Sequence, residues 1–318
     1  MRGLIPQAIS VITIILLCIS RSHGRHLDRS RLEISVNHAK ESYFVPRDDL
    51  RKCSAPVPVV SRKRRDLGLY NEANGTDHAS ALMRRVMQLP DGTDKLSMNE
   101  FMDVEIAKAA GVVFQNKAGS DFNTALLEDF AGAAVSAGVT GLCGCTTLVI
   151  LSRMGYFIAH YWESISFSPD PVWKFKDDQD AFKKTIEIPL TQGAGGYMRR
   201  AHPRLGSAAS SFSGDDVRAF LIKPSINIHS DPNGYRWQWD KMKTIIGGIL
   251  PALDPTQYAS RWQEITYTKL DRDDAALDDT AAGRTLIKYD PDHPEDSKRN
   301  KLTLWVEWQQ VYNDEWSN

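Results

Sequence analysis

Cys145 and His160 are the two residues whose types and spacing could support covalent chemistry. Cys145 lies in Gly144-Cys145-Thr146-Thr147 before an apolar run, and His160 follows fifteen positions later in a second apolar run. A cysteine thiol with a pKa of about 8.5 is mostly protonated at neutral pH, and an adjacent imidazole can accept its proton. The thiolate then attacks an amide or ester carbonyl, and the histidine later protonates the leaving amine. The pair therefore predicts a cysteine hydrolase.

The two apolar runs, residues 141–152 and 155–162, predict a β-hairpin that would bring this pair together. In a hairpin with a two-residue turn, opposed residues have position numbers with an odd sum, and Cys145 and His160 then share a face. With Ser152-Arg153 as the turn they oppose each other directly, and with Arg153-Met154 they are diagonal neighbours. A turn with an odd residue count would place them on opposite faces. The alternation puts Tyr156, Ile158 and Trp162 on the His160 face and Tyr161 and Glu163 on the other.

Small and hydroxylated residues around Cys145 could complete such a site. Gly141 and Gly144 allow close approach of a substrate, and their backbone N–H groups could form an oxyanion hole. Thr140, Thr146 and Thr147 are the nearby hydroxyl groups that could orient the imidazole. The predicted chemistry needs no cofactor and no metal, and it allows a protein or peptide substrate.

The segment from Gly144-Cys145-Thr146-Thr147 to His160 resembles the Cys–His core of the cytotoxic necrotizing factor and chemoreceptor glutamine deamidases. It is also similar to segments of uncharacterised secreted proteins of filamentous fungi. The resemblance covers about 25 residues, and Cys143 stands where the deamidases have serine. It implies that Cys145 attacks the carboxamide of a protein glutamine, with His160 as base, and that water releases glutamate. Transglutamination shares the acyl-enzyme and differs in that an amine resolves it.

Three other interpretations of these residues remain open. The hairpin can be ordinary core of a non-enzymatic secreted effector or interaction protein, since cysteine in an apolar strand is usually a small buried residue. Cys143, Cys145 and His160 could bind zinc. On a strand, Cys143 and Cys145 would lie on the same face about 6–7 Å apart, too far for an unstrained mutual disulfide, which predicts at least one free thiol in the body. Cys53 could then silence Cys145 by pairing with it.

The apolar periodicity of the rest of the chain predicts an α+β fold, with a mixed or antiparallel sheet or sandwich and helices packed on one side. Apolar spacing predicts helices over residues 94–116, with Ser97 and Glu100 as a capping box, and over 121–137 and 235–250. Further strands are predicted at 217–224, 262–270, 284–289 and 301–312. A Gly/Ser-rich loop is expected at 191–216, without the spacing of a phosphate-binding loop.

Charge divides the chain into a basic N-terminal part and an acidic body. Residues 1–65 carry 13 Lys/Arg against 5 Asp/Glu, and residues 66–318 carry 26 against 35. An acidic body without a basic stripe argues against a nucleic-acid partner, because binding to nucleic acid depends on neutralising phosphates.

The N-terminus predicts export. Residues 8–20 are almost wholly apolar, too short for a spanning helix of about 20 residues, and Ser22 and Gly24 follow, so residues 1–24 read as a signal peptide. Residues 25–65 end in Arg62-Lys63-Arg64-Arg65, a cluster that predicts a propeptide cut by dibasic proteases, with a solvated linker as the alternative. Residues 66–318 would form one secreted globular domain, with a glycosylation sequon at Asn74 and no membrane association in the mature form.

Overall fold

The computed structural model describes residues 87–109, 111–113, 123–195, 202–225 and 234–317. The chain divides into two units, residues 1–47 and 48–318, and every described residue belongs to the second. The predicted signal peptide, the predicted propeptide and Asn74 lie outside the described residues.

Ten strands in the described part of the chain form two five-stranded sheets. The first sheet has, in spatial order, β1 (Gly111–Val113), β3 (Val135–Val139), β8 (Thr285–Asp290), β9 (Arg299–Val306) and β10 (Gln309–Ser317). The second has β2 (Thr124–Asp129), β5 (Gly155–Tyr161), β4 (Thr146–Leu151), β6 (Arg218–Pro224) and β7 (Trp262–Tyr267). Each sheet is mixed, because β1 pairs with β3 and β6 pairs with β7 in parallel, whereas the other pairs are antiparallel.

The described residues also contain five α-helices. They are α1 (Lys95–Ala107), α2 (Asp178–Phe182), α3 (Ile188–Gln192), α4 (Arg236–Ile249) and α5 (Ala276–Asp279). A π-helical turn, Lys183–Glu187, joins α2 to α3, so that residues 178–192 form one helical segment. Within the described ranges, none of the helices has both the length and the apolar character needed to cross a bilayer.

The two sheets pack face to face, and helices cover both outer faces. Apolar side chains such as Leu304 of the first sheet and Val149 of the second form one buried layer between them. Helix α1 packs on the outside of the first sheet through Met102. Helix α4 and residues 178–192 cover the outside of the second. The α+β prediction is confirmed, but helices lie on two sides rather than one, because each sheet buries an apolar face on both sides.

The predicted helix over residues 121–137 is wrong, because this segment forms β2 and β3. Ala131 and Gly132 have positive φ values of 49° and 69° and make the turn between the strands. Gly138 lies so close to β8 that a Cβ there would meet the carbonyl oxygen of Thr285 at 2.6 Å. Pairing with neighbouring strands therefore outweighs the helical propensity of the alanines.

The predicted helix over residues 94–116 is confirmed in its first half. Its N-cap is Asp94, whose side chain accepts hydrogen bonds from the backbone of Leu96 and Ser97 at 3.0 and 3.1 Å, so the predicted capping box at Ser97 is wrong. The helix ends at Ala107, and Gly111–Val113 instead pairs with β3, as the two β-branched valines favour.

The predicted strand at 301–312 is two strands, β9 and β10, joined at Glu307-Trp308. Glu307 has a φ of 52°. Glutamate rarely adopts this left-handed conformation, so the sequence carries no turn signal there. The predictions at 217–224, 235–250, 262–270 and 284–289 correspond to β6, α4, β7 and β8.

The predicted loop at 191–216 is partly structured. It begins within α3 and includes a short 3₁₀ turn at Leu205–Ala208, and Ala194 forms an isolated antiparallel bridge with His202. Residues 196–201 lie outside the described ranges.

Candidate functional site

The hairpin that carries Cys145 and His160 has the second of the two predicted registers. The backbone N–H of Ser152 donates to the carbonyl of Gly155 at 3.0 Å, which makes Arg153-Met154 the two-residue turn. Thr147 consequently stands directly opposite His160 on β5. Cys145, one residue before β4, shares the face of Thr147 and is diagonal to His160, as the sequence predicted for this turn.

This face of the hairpin is buried between the two sheets. Cys145 and His160 are both 0% exposed, and Cys145 belongs to the apolar layer between the sheets. Trp162 covers His160, with ring centroids 4.4 Å apart. Trp162 thus lies on the predicted face and closes over the imidazole, and neither the thiol nor the imidazole reaches solvent.

Thr147 and His160 leave three buried polar atoms without hydrogen bonds. Neither ring nitrogen of His160, nor Oγ1 of Thr147, has a partner within the described residues. The Cys145 thiol is therefore not hydrogen-bonded to the imidazole. Burial lowers the pKa of His160 to about 3, so the ring is neutral at neutral pH and is a weak proton acceptor in this conformation. Most buried polar groups in proteins are hydrogen-bonded, so a group of buried polar atoms without hydrogen bonds requires a physical explanation.

Cys145 is a thiol, and its surroundings keep it protonated. Burial raises the pKa of this thiol well above its ordinary value. A hydrogen bond with the backbone of Glu163 and the ammonium of Lys269 lower its pKa, whereas the carboxylate of Glu163 raises it further. In this conformation the sulfur is not a thiolate, which is the form that attacks carbonyl carbon.

A charged group lies directly beside the thiol. We call Glu163, Lys269 and Tyr235 the Glu163 cluster. The Glu163 carboxylate accepts from the Lys269 ammonium and from the Tyr235 hydroxyl, each at 2.7 Å. The side chain of Glu163 is 2% exposed and that of Lys269 is 38% exposed, so the cluster leads from the buried thiol towards solvent.

Gly144 makes room for this cluster. A Cβ at position 144 would overlap a carboxylate oxygen of Glu163, and it would lie 2.7 Å from the carboxyl carbon and 3.2 Å from Cε of Lys269. The predicted role of Gly144 was close approach of a substrate, and in the structure the group that approaches it is the Glu163 carboxylate.

Glu163 lies directly after β5, which ends at Tyr161, and Glu163–Phe167 forms a π-helical turn. Asn123 fixes this turn by accepting from the backbone N–H of Trp162 at 2.9 Å and donating to Oγ of Ser166 at 2.7 Å. The partners of the carboxylate agree with the predicted face opposite His160, because Tyr235 packs against the outer layer of the second sheet.

The remaining predicted residues have other surroundings. Thr146 accepts a hydrogen bond from the indole N–H of Trp239 at 3.0 Å, on the outer face of the second sheet, so the prediction that it orients the imidazole is wrong. Thr140 is half-buried, directly after β3. Tyr161 also faces outward, as predicted, with its hydroxyl 3.0 Å from Nε2 of His202, a partner that the sequence did not indicate.

Cys143 is in a disulfide. It cannot serve as a thiolate ligand, which removes the predicted Cys143/Cys145/His160 zinc site. Among the described residues, no three His, Cys, Asp or Glu side chains converge to hold a metal ion. The hypothesis that Cys53 pairs with Cys145 is also wrong, since Cys145 keeps its thiol.

Sequence reasoning missed the Glu163 cluster entirely. Lys269 lies 106 residues from Glu163 in the chain and Tyr235 lies 72 residues away, so no local spacing connects them. The structure thus brings together Cys145, Thr147 and His160 on one buried face, with a buried carboxylate and a half-exposed ammonium at its edge. No protein-family model matches this chain and no curated protein matches it in sequence.

Proposed function

We propose that this chain is a secreted Cys–His hydrolase of the glutamine-deamidase type, in which Cys145 is the nucleophile and His160 is the general base. The substrate is a carboxamide of a protein or peptide. Thr147, the cross-strand neighbour of His160, replaces Thr146 as the hydroxyl group on the same face as the imidazole, and within the described residues the two make no hydrogen bond. The described conformation is its closed state.

One observation carries this proposal. Three polar atoms, on His160 and Thr147, are fully buried and find no hydrogen-bond partner among the described residues, beside a thiol on the same face. Each such atom destabilises a fold by about 1–3 kcal/mol relative to an apolar replacement. Valine and phenylalanine at these positions would give a more stable apolar core, whereas a hydrolase needs a proton acceptor next to its thiol.

The reaction follows from these groups. His160 takes the proton of Cys145, and the thiolate forms a bond to the carboxamide carbon. The tetrahedral intermediate collapses with loss of ammonia, which takes its proton from the imidazolium, and leaves a thioester. His160 then takes a proton from water, the hydroxide attacks the thioester, and the acid is released as the sulfur recovers its proton. An amine in place of water would give transglutamination.

The chemistry requires the hairpin end to open, since substrate cannot reach a thiol with no exposed surface. The Glu163 cluster is the part of the site nearest to solvent, through Lys269. Movement of the whole Glu163 cluster away from Gly144 would expose the end of the hairpin and remove the carboxylate that raises the pKa of the thiol.

Thiol reactivity tests this proposal without knowledge of the substrate. The native secreted protein is treated with iodoacetamide at neutral pH, and the modified cysteine is identified by peptide mass mapping. We expect Cys145 to be alkylated in the natural protein. In His160→Ala the rate of alkylation should be lower by at least about tenfold. The matched control is His202→Ala, which removes another buried histidine from the outer side of the second sheet and should leave the rate unchanged.

Ammonia release is the second readout. Benzyloxycarbonyl-Gln-Gly and casein serve as probe carboxamides, and Cys145→Ser should abolish any release. Alkylation of Cys145 only after denaturation of the protein would contradict the proposal.

The complete burial of Cys145 and His160 favours a second candidate, a secreted interaction protein in which the hairpin is core. In that case Cys145 stays inert in the native protein, and His160→Phe preserves every measurable property except stability. The alkylation experiment therefore decides between the two candidates.

A further inference from the structure

The disulfide of Cys143 has a small set of possible partners. The chain has four cysteines, Cys145 is a thiol, and Cys143 is in a disulfide. Within one chain, the partner of Cys143 is therefore Cys18 or Cys53, and both lie outside the described residues. Cys18 is in the apolar stretch expected to be removed as a signal peptide, which leaves Cys53.

We propose that Cys53 and Cys143 are joined by a disulfide that keeps residues 25–65 attached to the body of the protein after cleavage at Arg62–Arg65. Cys53 precedes the tetrabasic cluster and Cys143 follows it, so the bond spans the predicted cleavage site. The mature protein is then two chains held by one disulfide, and the predicted propeptide is a permanent subunit.

Formation of this bond is a two-electron oxidation. The two thiols lose two protons and two electrons, which are accepted by a disulfide of the secretory pathway, carried by an oxidoreductase or by oxidised glutathione and reduced to two thiols. Such oxidants act in the compartment that the N-terminal sequence predicts.

The surroundings of Cys143 suit a structural disulfide. Cys143 is 3% exposed, at the edge of the layer between the sheets. The preceding residue, Leu142, is fixed by donation of its backbone N–H to the carbonyl of Gly283 at 2.9 Å. A buried disulfide resists reduction by external thiols, and so the linkage would survive outside the cell.

Peptide mass mapping tests the pairing directly. The protein is expressed with its own N-terminus in a eukaryotic secretory host, alkylated with iodoacetamide under denaturing conditions without reductant, and digested with trypsin. We expect the peptide 53–62 to be linked to the peptide 118–153, with Cys145 carrying the alkyl group. Linkage of Cys143 to Cys18 or to a second molecule, or an alkylated Cys53, would overturn the proposal.

Electrophoresis tests the two-chain product. After treatment with a protease that cuts behind paired basic residues, we expect the small N-terminal chain to separate only in the presence of reductant. Cys145→Ser should behave like the natural chain, whereas Cys53→Ser should release the fragment without reductant. Release from the natural chain without reductant, or a chain that stays uncut, would contradict the two-chain product. These outcomes do not depend on whether Cys145 is catalytic.

Discussion

Gly144 and Glu163 lie so close together that no side chain fits at position 144. A Cβ there would lie 2.7 Å from the Glu163 carboxyl carbon and 3.2 Å from Cε of Lys269. Glu163 is buried and also accepts from Tyr235, so it cannot move away without breaking its hydrogen bonds. The glycine thus permits a buried charge beside the thiol.

Gly144→Ala should destabilise the protein. The added methyl group forces the carboxylate away from its partners, and overpacking of this kind costs about 1–3 kcal/mol. Urea unfolding followed by tryptophan fluorescence measures the loss. Gly248→Ala is the control, because Gly248 is an exposed residue of α4 with nothing within 4 Å of an added Cβ. That substitution should stabilise the protein by about 0.5–1 kcal/mol, and equal effects at the two positions would contradict the close contact.

The ion pair of the Glu163 cluster should show strong coupling. Lys269→Met leaves a buried carboxylate with the Tyr235 hydroxyl, and we expect a loss of about 1–3 kcal/mol, moderated because Lys269 is 38% exposed. Glu163→Gln in the same background removes the unpaired charge, so the double variant should be more stable than Lys269→Met alone. Urea unfolding of the three variants gives the coupling energy, and simple additivity would show that the pair contributes nothing.

Sequence reasoning succeeded where a local rule sufficed. Odd-sum pairing placed Cys145 and His160 on one face, and it held because Arg153-Met154 is a two-residue turn. It did not find the partners of Glu163, because Lys269 and Tyr235 lie 106 and 72 residues away in the chain. The π-helical turn that begins at Glu163 is fixed by Asn123, about 40 residues earlier, a contact that no local spacing indicates.

In the fold, too, local patterns predict some features, and contacts distant in sequence determine others. The α+β class follows from apolar periodicity, but residues 121–137 have helical composition and form two strands. Their conformation is set by pairing of β2 with β5 and of β3 with β8, both distant in sequence. Burial of Cys145 also depends on the first sheet, whose strands β8 and β9 lie more than 100 residues along the chain.

Adjacent threonines should respond in opposite ways to the same substitution. The buried hydroxyl of Thr147 has no partner in the part of the chain that the structure describes, and so Thr147→Val should stabilise the protein by about 1 kcal/mol. Thr146 accepts from the Trp239 indole at 3.0 Å, and Thr146→Val should destabilise it by about 1–3 kcal/mol because the buried N–H loses its partner. Thermal or urea unfolding measures both, and destabilisation by Thr147→Val would show that its hydroxyl is hydrogen-bonded in solution.

Two buried histidines should make the protein sensitive to mild acid. Burial lowers the pKa of His160 to about 3 and that of His202 to about 4, whereas unfolded histidine titrates at about 6.5. The unfolded state therefore binds more protons than the folded state as the pH falls below about 6.5. The stabilisation is fully present above that pH, and it is lost progressively as the pH falls towards the folded values.

Each histidine should contribute about 1.4 kcal/mol per pH unit within this window. Between pH 7 and pH 5, where carboxyl groups remain largely ionised, His160→Phe should reduce the pH-dependent loss of unfolding free energy by about 2 kcal/mol. His202→Gln should reduce it by a similar amount, because His202 is on the other side of the second sheet and titrates independently. Urea unfolding at several pH values measures both slopes. An unchanged slope in His160→Phe would mean that the imidazole is already reached by solvent, which is the condition that catalysis at Cys145 requires.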